Sequence, residues 1–239
     1  MEIIKLDDQD LKKCYDAVGR RGKAILLYML MKHVPESYRP RAIVSAMVAG
    51  DNPTSLEAEV VESFHKERFG IERKMINLVG CEIHPREDVY GKRVKYEHDG
   101  IGEEDRAKIR LVNDPPQVEG YDRKIRCYVE SALDSGLWFL SRLTDRNEGE
   151  KGFDFIYAGH LRDIDAEDWT VIFKNAMQCL TPAGVLAVTC HGAGEIVKLV
   201  SIRDSLESEG IHMHLTTLNY TLSGPNAIFL YGGLQSPNQ

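Results

Sequence analysis

Short apolar runs alternating with amphipathic stretches organise most of the chain beyond residue 41. Residues 42–49 form the first such run, closed by Gly50-Asp51, and residues 75–83 form a second, closed by His84-Pro85. Runs of this length bounded by turn residues suit strands of a parallel sheet covered on both faces. Between them, Thr54 or Ser55 can cap a helix whose apolar side is Leu56, Val60, Val61 and Phe64. The rhythm is clearest at the C-terminal end. Residues 153–158 read as a strand, 166–180 as a helix, and Thr181-Pro182-Ala183-Gly184 as a turn. Residues 185–190 follow as a strand, and 195–209 as a helix stopped by Gly210. Residues 211–220 and 227–231 are then two strands joined by Ser223-Gly224-Pro225-Asn226. With no helix between them, they form an antiparallel hairpin at the edge of an otherwise parallel sheet.

The ends of this pattern are less regular. Residues 8–33 have helical spacing in Leu11, Tyr15, Val18, Ile25, Leu26, Met29 and Leu30, interrupted between Gly19 and Gly22. Arg20, Arg21 and Lys23 read as a solvated helix junction, and Pro35 and Pro40 break the chain before the first strand. In the middle, residues 86–102 are polar and glycine-bearing, 103–112 resemble a helix, and 133–143 resemble another. The third strand has two candidate positions. Residues 124–130 are preferred because their helix leads by a short polar loop into Phe153; residues 108–113 are the alternative.

Composition adds bounds. The chain has 239 residues, 43% of them hydrophobic, enough to bury a sizeable core. Acidic residues outnumber basic ones, 37 to 30, which argues against a protein that coats nucleic acid. Five cysteines are scattered without a Cys-x-x-Cys pair, as expected of reduced core thiols in a cytoplasmic protein. The first ten residues are acidic and polar rather than a secretory leader. The longest apolar stretch, residues 24–31, is far short of the roughly 20 residues a membrane helix needs.

A doubly wound sheet binds its ligand beyond the carboxyl ends of its strands, where the strand order reverses. There the turn after the first strand needs small residues, and an acid at the end of the second can accept both hydroxyls of a ribose. Ala46, Ala49, Gly50 and Asp51 stand in the first place and Glu82 in the second. Glu82 alone would also suit a solvated strand end, and Gly50-Asp51 an ordinary turn. Met47 and Val48 are bulky where glycine is usual.

Phe153-Asp154-Phe155-Ile156-Tyr157, then a helix, then Leu180-Thr181-Pro182-Ala183-Gly184-Val185-Leu186 resembles the class I S-adenosylmethionine-dependent methyltransferases. That family shows Phe-Asp-Leu-Ile at its fourth strand and Leu-Lys-Pro-Gly-Gly before its fifth, and its closing reversed strand pair separates it from a dehydrogenase. Ser45-Ala46 with Gly50-Asp51-Asn52-Pro53-Thr54-Ser55-Leu56 is also similar to the chemotaxis-receptor carboxyl methyltransferases. This chain is one residue shorter before the glycine and has Gly159-His160-Leu161-Arg162-Asp163 where those carry Asn and Tyr-Phe.

The resemblance implies a Rossmann-like, seven-stranded α/β sheet over residues 41–239, mostly parallel with the antiparallel edge hairpin. Residues 1–40 would be an N-terminal helical cap over the acceptor site. S-adenosylmethionine would be the cofactor. Ala46, Ala49, Gly50 and Asp51 would face its methionine part, Glu82 and Ile83 its ribose, and Glu130, Ser131 and Ala132 its adenine (Asp114 if the third strand is the earlier one). Ala158, Gly159, His160 and Leu161 would floor the pocket beside the sulfonium.

A base is needed only where the acceptor carries a proton. His160 stands where one could act, although a strand-end histidine in a structural hydrogen bond would look the same; His191 is a weaker candidate. The Asn-Pro-Pro-Tyr signature of nucleic-acid amine methylation is absent after the fourth strand. The expected acceptor is therefore a small molecule or protein side chain rather than nucleic acid. No metal is expected, because His212 with His214, and His84 near Cys81, lack a third ligand nearby in sequence. The alternatives are a methyltransferase-like binding module whose cofactor turn is filled by Met47 and Val48, and a nicotinamide-dependent oxidoreductase. The latter is disfavoured by the missing Gly-x-Gly-x-x-Gly and the terminal hairpin.

Overall fold

The computed structural model describes residues 2–4, 7–19, 21–49, 56–72, 75–82, 110–112, 126–129, 152–159, 161, 165–190, 192–218 and 227–232. In chain order the elements are β1 (Glu2–Ile4), α1 (Asp8–Val18), α2 (Arg21–His33), β2 (Val44–Ala49), α3 (Leu56–Phe69) and β3 (Ile76–Glu82). Then come β4 (Arg110–Val112), β5 (Arg126–Val129), β6 (Phe153–Ala158), α4 (Ala166–Gln178), β7 (Leu180–Cys190), α5 (Gly192–Ser208), β8 (His214–Leu218) and β9 (Ala227–Gly232).

The strands form one sheet in the order β1-β8-β9-β7-β6-β2-β3-β5-β4. Strands β5, β3, β2, β6 and β7 are mutually parallel. Strand β9 runs against both β7 and β8. The expected seven strands are therefore present with one added at each side. β1 pairs parallel with β8, and β4 pairs antiparallel with β5. This corrects the seven-strand count and the place of the hairpin: β8–β9 is inside the sheet, because three residues of the polar N-terminus take its outer side. Both candidate third strands exist. Residues 126–129 hold the parallel position beside β3, and residues 110–112 lie outside them as a reversed edge, where the sequence suggested the end of a helix. The cap at Thr54 or Ser55 and the helix at 133–143 lie outside the described residues.

Helices cover both faces, as the continuous apolar strands require. One layer joins α2 and α3 to Val44, Ala46, Val48, Phe155, Tyr157, Val185, Ala187, Ile228 and Leu230. The other joins α4 and α5 to Met47, Ile156, Leu186, Val188 and Leu215. In α2, every residue from Lys23 to Leu30 is buried. A helix that is apolar all round must be covered all round, so α2 is a layer of the core. Lys23, read as solvated, is buried and ion-paired with Glu59 of α3. Helix α1 begins at Asp7, whose carboxylate accepts from the Gln9 and Asp10 amides, and ends at Gly19 in the left-handed region.

The amino ends of β2 and β6 are fastened by a buried ion pair. Asp154 Oδ1 accepts from Arg41 Nε at 2.8 Å, and Oδ2 accepts from Arg41 Nη2 at 3.0 Å and from the Ser45 amide at 2.7 Å. Arg41 also donates to the Gly152 carbonyl. Beside it, the expected turn 181–184 is part of β7. Phe153 pairs with Leu180 but Phe155 with Val185, so β7 bulges over these residues. Gly184 permits this, since a Cβ there would lie 2.7 Å from the Phe153 carbonyl oxygen.

At the same end, His65 is buried against Tyr38. Its Nδ1–H donates to the Val61 carbonyl, which leaves Nε2 to accept from the Tyr38 hydroxyl at 2.7 Å. Burial lowers its pKa to about 4. Protonation costs the folded state a buried cation and the Tyr38 bond, so stability is present above the unfolded pKa near 6.5 and lost as pH falls toward 4. The loss expected is roughly 3 kcal/mol. In His65→Gln the urea midpoint should lose this component of its slope between pH 6.5 and 4; an identical slope in both proteins would refute the assignment. Asp154→Asn, which removes the carboxylate that accepts from Arg41 and from the Ser45 amide, should cost about 3–5 kcal/mol in the same denaturation experiment.

Candidate functional site

The ligand end follows from strand order and register. From β2 the chain moves to β3 and β5 on one side, then returns to β6 and β7 on the other. The order therefore reverses between β2 and β6, where open α/β sheets bind ligands. Ala49 is level with Cys81 of β3, and Val48 with Tyr157 of β6, so Ala49 and Ala158 end their strands side by side. Glu82 extends one residue further on β3 and is level with Val129 of β5. With strands about 4.8 Å apart, the ends of β3, β2 and β6 fall within roughly 10 Å. The sequence-predicted Ala49, Glu82 and Ala158 are thus brought to one edge.

Other candidates lie elsewhere. Ala46 is three residues before the strand end and fully buried against the α2–α3 layer, so its side chain is core rather than pocket. Leu161 is likewise fully buried, in the layer under α4 and α5. Ala158 and Gly159 are buried at the end of β6. Gly50, Asp51, Ile83, Glu130, Ser131, Ala132, His160 and His191 lie outside the described residues, as does Asp114.

Met47 and Val48 are strand residues on opposite faces of the sheet. Met47 packs with Phe153, Ile156 and Ala158, and Val48 with the α2–α3 layer. Both are core strand residues, below the end of β2 at Ala49. The observation behind a degenerate cofactor site is thereby removed.

Of two basic residues near this edge, Lys23 was read as solvated and Lys198 was missed. Lys23 starts α2 and pairs with Glu59 in the first turn of α3, next to the segment that leaves β2. At the other end of the pair of helices, Arg68 of α3 donates to the Val34 and Pro35 carbonyls that follow α2. The two helices are therefore parallel, and the α1–α2 junction stands at the carboxyl edge of the sheet. Lys198 of α5 donates to the Leu161 carbonyl at 2.9 Å. The Tyr157 and Thr189 hydroxyls are bonded at 2.8 Å between β6 and β7. The described cysteines 14, 179 and 190 are buried. Burial pushes Cys14 up to about 11 and Cys190, at the end of β7, up to about 12, so these thiols stay protonated.

No family model and no curated protein matches the sequence. Solved structures similar to the chain include several methyltransferases. The mycinamycin-pathway enzyme MycE, in complex with Mg and SAH, is 13% identical with a TM-score of 0.43; the match covers 96% of this chain and 49% of that one. The O-methyltransferase TomG from Streptomyces achromogenes, in complex with SAM, is 14% identical over 94% of this chain and 89% of its own, with a TM-score of 0.46. The N-methyltransferase NodS from Bradyrhizobium japonicum is 12% identical over 94% and 96%, with a TM-score of 0.42. The chain thus spans about half the length of MycE. At these values no residue of the site is matched to a counterpart. No described helix is long and apolar enough to cross a membrane.

Met47→Ala separates a core residue from one that blocks a site. It should destabilise the chain by about 2–5 kcal/mol and leave S-adenosylhomocysteine affinity unchanged. A gain in affinity, measured by titration calorimetry, would return Met47 to the site.

Proposed function

We propose that the chain is a class I S-adenosylmethionine-dependent methyltransferase acting on a small molecule or a protein side chain. The observation that carries this is the topology. Five parallel strands switch order between β2 and β6, and a reversed β9 is inserted between β7 and β8. A reversed strand in that place fits the methyltransferase sheet suggested by the C-terminal motifs and not an all-parallel dehydrogenase sheet.

The residues at the switch suit the cofactor. Glu82 ends β3 as a carboxylate, an acceptor able to take both hydroxyls of a ribose. Ala49 ends β2 and Ala158-Gly159 end β6, so small groups stand where a ligand must approach backbone closely. S-adenosylmethionine, when bound, supplies a methyl group on a positively charged sulfur. The chain's part is to hold donor and acceptor in line, since orientation supplies much of the rate.

In this reading Gly50 and Asp51 with Ala49 hold the methionine part, Glu82 and Ile83 the ribose, and Glu130, Ser131 and Ala132 the adenine beyond β5. Gly159 and His160 border the reacting end. His160 takes the proton from an acceptor that carries one. Residues 41–239 form the catalytic domain, and the α1–α2 junction borders the acceptor. The protein works in the cytoplasm. Its excess of acidic residues, and the missing amine-methylation signature, favour an acceptor other than nucleic acid.

Calorimetric titration with S-adenosylhomocysteine tests the reading. Saturable binding is expected, and no heat at millimolar concentration from a folded sample would overturn it. Glu82→Ala should weaken the binding by about 10- to 100-fold, the worth of hydrogen bonds to a charged acceptor. An unchanged affinity would remove Glu82 from the ribose.

A further inference from the structure

We propose that Lys198 is a positioning residue that holds the turn after β6 in place for the ligand, an inference that rests on the methyltransferase reading above. Three observations converge on it. Helix α5 begins at Gly192, just past the carboxyl end of β7, and Lys198 lies about 9 Å down the helix from that start. Helical side chains lean toward the N-terminus of their helix. The Lys198 stem therefore runs back up toward the carboxyl edge of the sheet, and its ammonium donates to the Leu161 carbonyl at 2.9 Å.

The acceptor of that bond is the second fixed point. Leu161 stands three residues past β6 with its side chain wholly buried in the layer beneath α4 and α5. Its side chain anchors the turn from below, while Lys198 takes its carbonyl from the α5 side. The third point is Ala158, which β6 holds level with Val188 of β7. Ala158 and Leu161 are thus both tied, and Gly159, which borders the reacting end in the proposed function, directly follows Ala158. A hydrogen bond from a charged donor is shorter and about twice as strong as a neutral one. It suits a backbone segment whose described sheet pairing ends at Ala158.

The arrangement explains why a lysine stands in the half-buried second turn of α5, where the neighbouring Leu199 and Ile202 are core. It also gives that residue an effect on the ligand without contact with it. Lys198 acts on the backbone of the turn, and the turn meets the ligand.

The test uses the full chain with Lys198→Met and Lys198→Arg, read by hydrogen exchange of the peptide covering residues 157–162 and by S-adenosylhomocysteine titration. In Lys198→Met, exchange of that peptide should rise about tenfold while the global Tm stays within about 2 °C. Affinity should fall about tenfold. Lys198→Arg, which keeps a charged donor, should restore both. Unchanged exchange in Lys198→Met overturns the proposal whether or not the ligand binds. Raised exchange with unchanged affinity overturns the link to the ligand. Wild-type protein that binds no S-adenosylhomocysteine overturns the methyltransferase reading instead, and leaves exchange to decide the anchoring. Should Lys198→Met fail to fold, Lys198→Gln is read against the same outcomes.

Discussion

The ion pair of Arg41 with Asp154 ties together the two strands on which the ligand end depends. It joins the amino ends of β2 and β6, the pair between which the strand order reverses. The same carboxylate takes the Ser45 amide, so the start of β2 is bonded to a side chain as well as to the sheet. A buried pair of this kind contributes less net energy than its geometry suggests, because both ions lose their water. Its larger effect is on register. With β2 and β6 locked at one end, Ala49 and Ala158 must finish level at the other, and the crevice between them inherits its shape from a contact most of a strand length away.

That separation explains what the sequence disclosed and what it concealed. The recognisable motifs, Phe153-Asp154 and Thr181 to Gly184, both lie at the amino ends of β6 and β7. Asp154 is an anchor, and Gly184 is the place where the Phe153 carbonyl needs a residue without a side chain. Such residues are specific for the fold because the packing there tolerates little else. They carry no information about the reaction, which belongs to the opposite edge. Hence β6 was legible to the residue, while Ala46 and Leu161, named for the ligand, proved to be core.

The misreadings have one physical origin: local pattern cannot report what covers a segment. Helix α2 carries Lys23 beside an apolar run, and only the fold shows that every residue from Lys23 to Leu30 is covered. Three residues at β1 and three at β4 are too few to show an alternation, and their strand state comes from the neighbouring strand. The segment 181–184 carries turn residues but forms a bulge, because β6 pairs with Leu180 before it and with Val185 after it. Lys23 was read as part of a solvated helix junction, and nothing in the sequence marked Lys198. Their partners, Glu59 and the Leu161 carbonyl, are distant in sequence and close only in the fold.

The central claim is that the carboxyl edge at β2, β3 and β6 binds an adenosyl ligand through Glu82. A crystal structure of the chain with S-adenosylhomocysteine tests it most directly. The account predicts both ribose hydroxyls on the Glu82 carboxylate, the adenine toward the end of β5, and the sulfur beside the turn that follows Ala158. A nucleoside bound away from this edge, or a ribose with no contact to Glu82, would contradict it.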